Sequence, residues 1–328
     1  GTSQSLSEAS PAASTPTAIR GLLLARFRLP RPGLRTPVGA PHLLEVPGAH
    51  HMTGHADLDR RVRPRHRPSD LGGAGRRVEV ERLVGRGPGA GLTKWFFYPG
   101  FGPDTGGLLH EDGLAEQRAR LDVPRWLASV GVQPHPGAQR VSLFCYAQPA
   151  LPAWLAHWQE QPTQLLVTPG PAAEQVGARL GAPLPPGSVL RRGALHVHAL
   201  PWLSQPDFDR LLWSCDLNHV RGEDSLVRAL WAGQPFVWQL YPQHDGAHAA
   251  KLDAFLALYL RGADTALARA LRARFQQWNG LAPALPLAAP AHGAWRALAQ
   301  LRRGQIEGEQ QALGDLATRL YRFVASKR

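Results

Sequence analysis

Leu217-Asn218-His219-Val220-Arg221-Gly222-Glu223-Asp224-Ser225 runs a short apolar segment through a glycine into the start of a helix. Residues 217–220 have the length of a strand. Residues 223–231 read as a helix closed by Gly233, and 236–240 read as the next strand, with Pro235 at its entrance. Strand, helix and strand at this spacing make the repeating unit of a parallel sheet. Gly222 lets the chain turn sharply between the first two.

The same alternation extends in both directions. Residues 141–146, 164–167 and 195–200 read as strands. Residues 150–159, 171–180 and 206–214 read as helices, the second and third opening on a proline. Beyond 240 the pattern is helical only, at 247–260, 265–278, 294–303 and 307–325. The expected fold class is therefore α/β, a parallel sheet covered on both faces.

Residues 1–91 differ in kind. They hold 14 Arg, no Lys and 7 acidic residues, with no sustained apolar period. Arg60-Arg61-Val62-Arg63-Pro64-Arg65-His66-Arg67 would suit a nucleic-acid arm. The segment has no Trp or Tyr and only Phe27 for bases to stack on, so no direct nucleic-acid contact is expected. Arg, Pro, Gly and Ala share GC-rich codons, and the composition changes abruptly just before Leu92. Segment 1–91 thus reads as irregular, poorly ordered and out of frame.

The 328 residues carry 37 Lys plus Arg against 25 Asp plus Glu, a formal charge of +12. Only three of the 37 are lysines, which leaves 34 arginines. Two cysteines, Cys145 and Cys215, exclude a disulfide scaffold and a four-cysteine zinc site. No apolar run is long enough to span a membrane and no secretory signal is visible, so a cytoplasmic protein without membrane contact is expected.

Ligands of open parallel sheets bind beyond the carboxyl ends of the strands. At the 220–225 junction, Ser225 and the free N–H groups of the helix start could hold a phosphate. Glu223 and Asp224 equally suit an ordinary capped first turn. Phe144 and Tyr146 end one strand, and Trp202, Gln205 and Phe208 follow another. They could line a flat slot for a base, with Gln205 reading its polar edge, or simply pack the core. Gln239, Tyr241 and Gln243 could bond a sugar, or equally be the polar residues of an ordinary loop. His196 and His198 share one strand face without a third metal ligand in view, so no metal is expected. The cysteines read as buried small apolar residues.

Longer strings carry a resemblance. Residues 211–225, Arg228-Ala229-Leu230-Trp231-Ala232-Gly233, Pro235-Phe236-Val237-Trp238-Gln239 and Tyr241-Pro242-Gln243 resemble the bacterial protein-arginine rhamnosyltransferases of elongation factor P. So do Leu92-Thr93-Lys94-Trp95-Phe96-Phe97-Tyr98-Pro99-Gly100-Phe101, Thr105-Gly106-Gly107-Leu108-Leu109 and Val141-Ser142-Leu143-Phe144-Cys145-Tyr146. The resemblance implies a GT-B glycosyltransferase. In that architecture two Rossmann-like domains face a cleft, and L-rhamnose passes from dTDP-L-rhamnose to an arginine of elongation factor P with inversion and no cofactor. It implies a thymine slot of Phe144, Tyr146, Trp202 and Phe208, with Gln205 reading the base. It also implies a donor-site triplet, Glu223, Asp224 and Ser225, of which Glu223 is the catalytic candidate.

The implied division is a remnant of the acceptor-side domain with linker at 92–140, a nucleotide-sugar domain at 141–293, and helices crossing back at 294–328. The N-terminal Rossmann-like domain reads as missing or corrupted. The family's glycine loop with two aspartates is not found, since Asp57 and Asp59 lack the surrounding apolar strand. The competing expectation is a non-catalytic nucleotide-binding module using its basic arm on RNA or the ribosome.

Overall fold

The computed structural model describes residues 80–82, 93–95, 97, 100, 105–242, 247–284 and 290–326. The chain divides into two compact units. In the smaller, Ala25–Phe97, β1 (Val80–Arg82) pairs antiparallel with β2 (Thr93–Trp95), Val80 opposite Trp95. A strand therefore lies inside the segment expected to be irregular. The remainder of 1–91, with its Arg-rich run, lies outside the described residues.

From Leu114 the larger unit holds α1 (Leu114–Ala119), α2 (Val123–Ser129), β3 (Gln139–Leu143), α3 (Leu151–Gln159), β4 (Thr163–Val167) and α4 (Pro171–Leu180). It continues through β5 (Val189–Arg192), β6 (Leu195–Ala199), α5 (Gln205–Ser214), β7 (Leu217–Arg221), α6 (Gly222–Ala232) and β8 (Phe236–Gln239). Helices α7 (Ala247–Tyr259), α8 (Thr265–Trp278), α9 (His292–Leu313) and α10 (Leu316–Ala325) complete it. Local chemistry sets many of these boundaries. Proline occupies the first turn of α2, α3, α4 and α5. The side chains of Asp122, Ser204, Asp264 and Asp315 accept from first-turn N–H groups. Gly181 and Gly233 close α4 and α6 in the left-handed region.

The sheet order is β5-β6-β4-β3-β7-β8. Every neighbouring pair is parallel except β5 with β6. The chain winds outward from β3 through β4 to β6, then returns through α5 to lay β7 on the other side of β3. This is the Rossmann-like winding that the α/β expectation called for, and β3 and β7 flank the point where its direction reverses. Leu165 and Val167 of β4 pack with Trp154, Leu155 and Val176 of α3 and α4. Leu166 faces the other way, with Trp126, Leu127 and Leu211 of α2 and α5.

One expectation is corrected. The helices read at 294–303 and 307–325 are divided differently, because α9 runs unbroken to Leu313 and the break falls at Gly314. Gly304 and Gly308 sit inside α9 with open space where a Cβ would stand. Each costs about 1 kcal/mol against alanine. Packing of Ile306 against the core and the ion pairs of Glu307 with Arg303 and Arg118 carry the helix through them.

His219 of β7 is fully buried among Trp154, Trp158 and Trp278, at ring-centroid distances of 4.9, 5.5 and 4.5 Å. Burial lowers its imidazole from 6.5 to about 3; Arg274 adds to the shift, and the Ser142 carbonyl opposes it. The unfolded chain therefore takes up the proton first. Stability is complete above about pH 6.5 and declines as the pH falls toward 3. Thermal unfolding of parent and His219→Phe should diverge below pH 6.5, the parent losing up to about 1.4 kcal/mol more per pH unit. A difference between the two that is constant from pH 7.5 to 5 would rule this out.

Candidate functional site at the ends of β3 and β7

Beyond the carboxyl ends of β3 and β7, Phe144, Tyr146 and Phe208 of the sequence-predicted residues cluster beside the start of α6, while among the described residues no ring contact joins Trp202 to them. Phe144 leaves β3 with its N–H bonded to the His219 carbonyl at 2.9 Å. The next residues are fastened from two sides. Gln239 of β8 accepts from the Tyr146 N–H at 2.8 Å and donates to the Ala147 carbonyl at 3.1 Å. Gln175 of α4 donates to the Tyr146 carbonyl at 3.1 Å. Gln239, considered from sequence as a sugar contact, thus spends its amide on this loop.

Between the Phe144 and Tyr146 rings lies the guanidinium of Arg221, 4.3 Å from one centroid and 4.5 Å from the other. Phe208 meets Phe144 edge-on at 5.5 Å, and Tyr241 meets Tyr146 edge-on at 5.4 Å. Tyr241 is 64% exposed and Trp202 80% exposed, so both offer faces to solvent. Burial raises the Tyr146 phenol; Arg221 opposes that, and the carboxylate of Glu223 and Tyr241 add to it. Glu223 is therefore electrostatically coupled to the aromatic cluster. Arg221 ends β7 as part of the junction quoted first, yet nothing in the sequence places it between two rings.

Gly222 begins α6 at φ +70°, and its carbonyl accepts from Trp238 Nε1 at 2.8 Å. A Cβ there would stand 3.2 Å from the Tyr146 hydroxyl. Glu223 is half-buried, Asp224 exposed and Ser225 buried. Asp224 Oδ2 lies 3.7 Å from Arg228 Nε one turn on. Arg228 also reaches α5 and the loop before α1, bonding Asp209 at 2.7 Å and Glu111 at 2.8 Å. Its role as a hub is invisible in sequence, because its partners come from three separate segments.

Other candidates fall elsewhere. Cys145 and Cys215 are buried; burial raises the first thiol to about 12 and the second further, which removes them from nucleophilic chemistry. His196 and His198 line a separate recess with His135, whose ring lies 4.1 Å from that of His196. Among the described residues no group of three or more His, Cys, Asp or Glu is arranged to hold a metal ion. No described helix is long and apolar enough to cross a membrane. Gln243 lies outside the described residues.

Aromatic rings beside a guanidinium and a helix N-terminus have the chemistry that a nucleoside diphosphate would satisfy. The family model for Elongation-Factor P (EF-P) rhamnosyltransferase EarP matches residues 79–325. The chain belongs to this family. The match begins before the change of composition at Leu92. Curated EarP-family relatives, both protein-arginine rhamnosyltransferases, come from Pseudomonas aeruginosa and Pseudomonas putida. They are 46% identical over 252 residues and 43% over 247, covering 72% and 71% of this chain. The chain spans 64% of the length of each. A solved structure, described as the structural basis for EarP-mediated arginine glycosylation of translation elongation factor EF-P, is also similar. It is 38% identical with a TM-score of 0.62, over 70% of this chain and 75% of that one.

Gly222→Ala tests the junction. A side chain in the left-handed region costs about 1–2 kcal/mol, and the contact with Tyr146 adds to this. Chemical denaturation should show a loss of that size; an unchanged unfolding midpoint would mean that the junction tolerates a side chain.

Proposed function

We propose that this chain is a glycosyltransferase that moves L-rhamnose from dTDP-L-rhamnose to an arginine of translation elongation factor P, with inversion and without a cofactor. The observation that carries the reading is Arg221. It is a guanidinium with no carboxylate partner among the described residues, held between two aromatic rings at the start of α6. A ligand that is aromatic at one end and polyanionic at the other satisfies both halves of this arrangement. The base takes the aromatic faces of Phe144, Tyr146, Phe208 and Trp202, with Gln205 at its polar edge. The diphosphate takes Arg221, the N–H groups opening α6 and the Ser225 hydroxyl.

The direction of transfer follows from charge. A carboxylate is repelled by the diphosphate, so Glu223 belongs beside the sugar or the incoming guanidinium. As the acceptor nitrogen attacks the anomeric carbon from the face opposite the departing dTDP, positive charge develops on that carbon. A fixed carboxylate stabilises that charge more than it stabilises the ground state. Asp224, tied to Arg228, positions the helix start. No general base is assigned among the described residues. The division into acceptor-side segment, nucleotide-sugar domain and returning C-terminal helices is part of the same proposal, as is a cytoplasmic location beside this acceptor.

A second reading is a nucleotide-binding module without catalysis. Two measurements separate the readings. Calorimetry should show dTDP binding at least about tenfold tighter than GDP, a difference of about 1.4 kcal/mol; equal affinities would refute both. Incubation with dTDP-rhamnose and elongation factor P should add one deoxyhexose to the acceptor by intact mass. Binding without mass gain selects the second reading. Glu223→Gln should lower turnover about 10²–10³-fold with donor affinity nearly unchanged; turnover near the parent's would remove Glu223 from the chemistry.

A further inference from the structure

Arg228 reaches Gln205 as well as its three carboxylates. The Gln205 amide stands against Arg228 Nη2 and Nε, and with its oxygen turned to them it accepts from Nη2 at 3.2 Å and from Nε. A guanidinium carries donors only, so an amide can face it through oxygen and never through nitrogen. The same guanidinium binds Asp209 through Nη1 at 2.7 Å, and Asp209 lies one turn beyond Gln205 on α5. Arg228 therefore grips the first turn of α5 at two points. It is 86% buried itself, its side chain being 14% exposed, while Glu111 and Asp224 complete its surroundings.

We propose that Arg228 is a positioning residue that sets base specificity by locking the Gln205 amide with its NH2 group turned toward the ligand. Resting on the donor reading above, the assignment adds the cause of its base selectivity. An amide free to rotate by 180° offers either a donor or an acceptor at a given point and reads little. With both lone pairs of its oxygen taken by the guanidinium, the amide turns its NH2 outward as a fixed donor. A fixed donor matches thymine, whose O4 accepts. It opposes cytosine, which presents an amino donor at the position of O4. Phe208, one turn along the same helix, meets Phe144 edge-on and so sets this turn against the aromatic cluster. Size, not the amide, would then exclude guanine, whose O6 accepts as thymine O4 does.

The test is calorimetry of dTDP and dCDP on the full chain as the parent, Arg228→Lys, Gln205→Ala and the double variant, with circular dichroism confirming that each is folded. The parent should prefer dTDP. Arg228→Lys, which keeps the charge but not the planar fork, should reduce that preference about fivefold to tenfold, and should reduce it no further once Gln205 is alanine. An equal reduction in both backgrounds, or none in either, overturns the assignment. Gln205→Glu gains an ion pair with Arg228, which favours folding, and offers the base acceptors only. It should shift preference toward dCDP; retained dTDP preference also overturns the assignment. A parent that binds dTDP but no better than dCDP defeats this inference and leaves the donor site standing. A parent that binds neither defeats the donor reading, and this inference with it.

Discussion

The pairing of β3 with β7 is the constraint on which the site depends. Residues far apart in sequence meet in one register, with Val141 opposite Leu217 and Leu143 opposite His219. A buried polar clamp secures it. Ser142 Oγ donates to Asn218 Oδ1 at 2.6 Å, and Asn218 Nδ2 donates to the Leu212 carbonyl on α5 at 3.0 Å. A slip by one residue would strand these groups without partners, at about 1–3 kcal/mol each, and would turn His219 out of its tryptophan cage. The connections leaving the two strands diverge, and it is at such a point that open parallel sheets take their ligands. Phe144, Tyr146 and Arg221 stand there because the register puts them there.

Much of this architecture was legible in the sequence, and the exceptions have physical causes. The parallel strands are short apolar runs bounded by Pro, Gly or polar residues, and buried strands must read that way. Strand β5 was missed because Val-Leu-Arg-Arg is an exposed antiparallel edge, and edges carry charge. Helices α1 and α2 are too short to display a period. The false break near Gly304 arose because propensity is local, while the packing of Ile306 and the Arg118–Glu307 pair that carry α9 onward are not.

The site was legible to a different depth. Residues placed by a strand end or a helix start, such as Phe144, Tyr146, Gln205 and Ser225, could be named because the ends of parallel strands are where such folds open. What they touch could not be named. Gln239 looked like a ligand contact and instead braces the loop carrying Tyr146. Arg221 and Arg228 looked like ordinary members of a basic chain, and each is committed by geometry to a different task.

The near-replacement of lysine by arginine bears on how such a site is built. Arg302 donates to the Tyr259 carbonyl at 2.8 Å, to Gln305 Oε1 at 2.7 Å and to the Arg261 carbonyl, three directions from one plane. Arg228 does the same with side chains. An ammonium is a point charge on a flexible stem and fixes no orientation in its partners, whereas a fork imposes one. Helix α6 thus carries two linked functions: its first turn stands beside the aromatic cluster, and its second, through Arg228, sets where the first turn of α5 stands. The spacing between α5 and α6 depends on that tie as much as on the strands beneath it. Loss of the Arg228 guanidinium should therefore loosen the seating of α5 against α6 before it alters whether the chain folds.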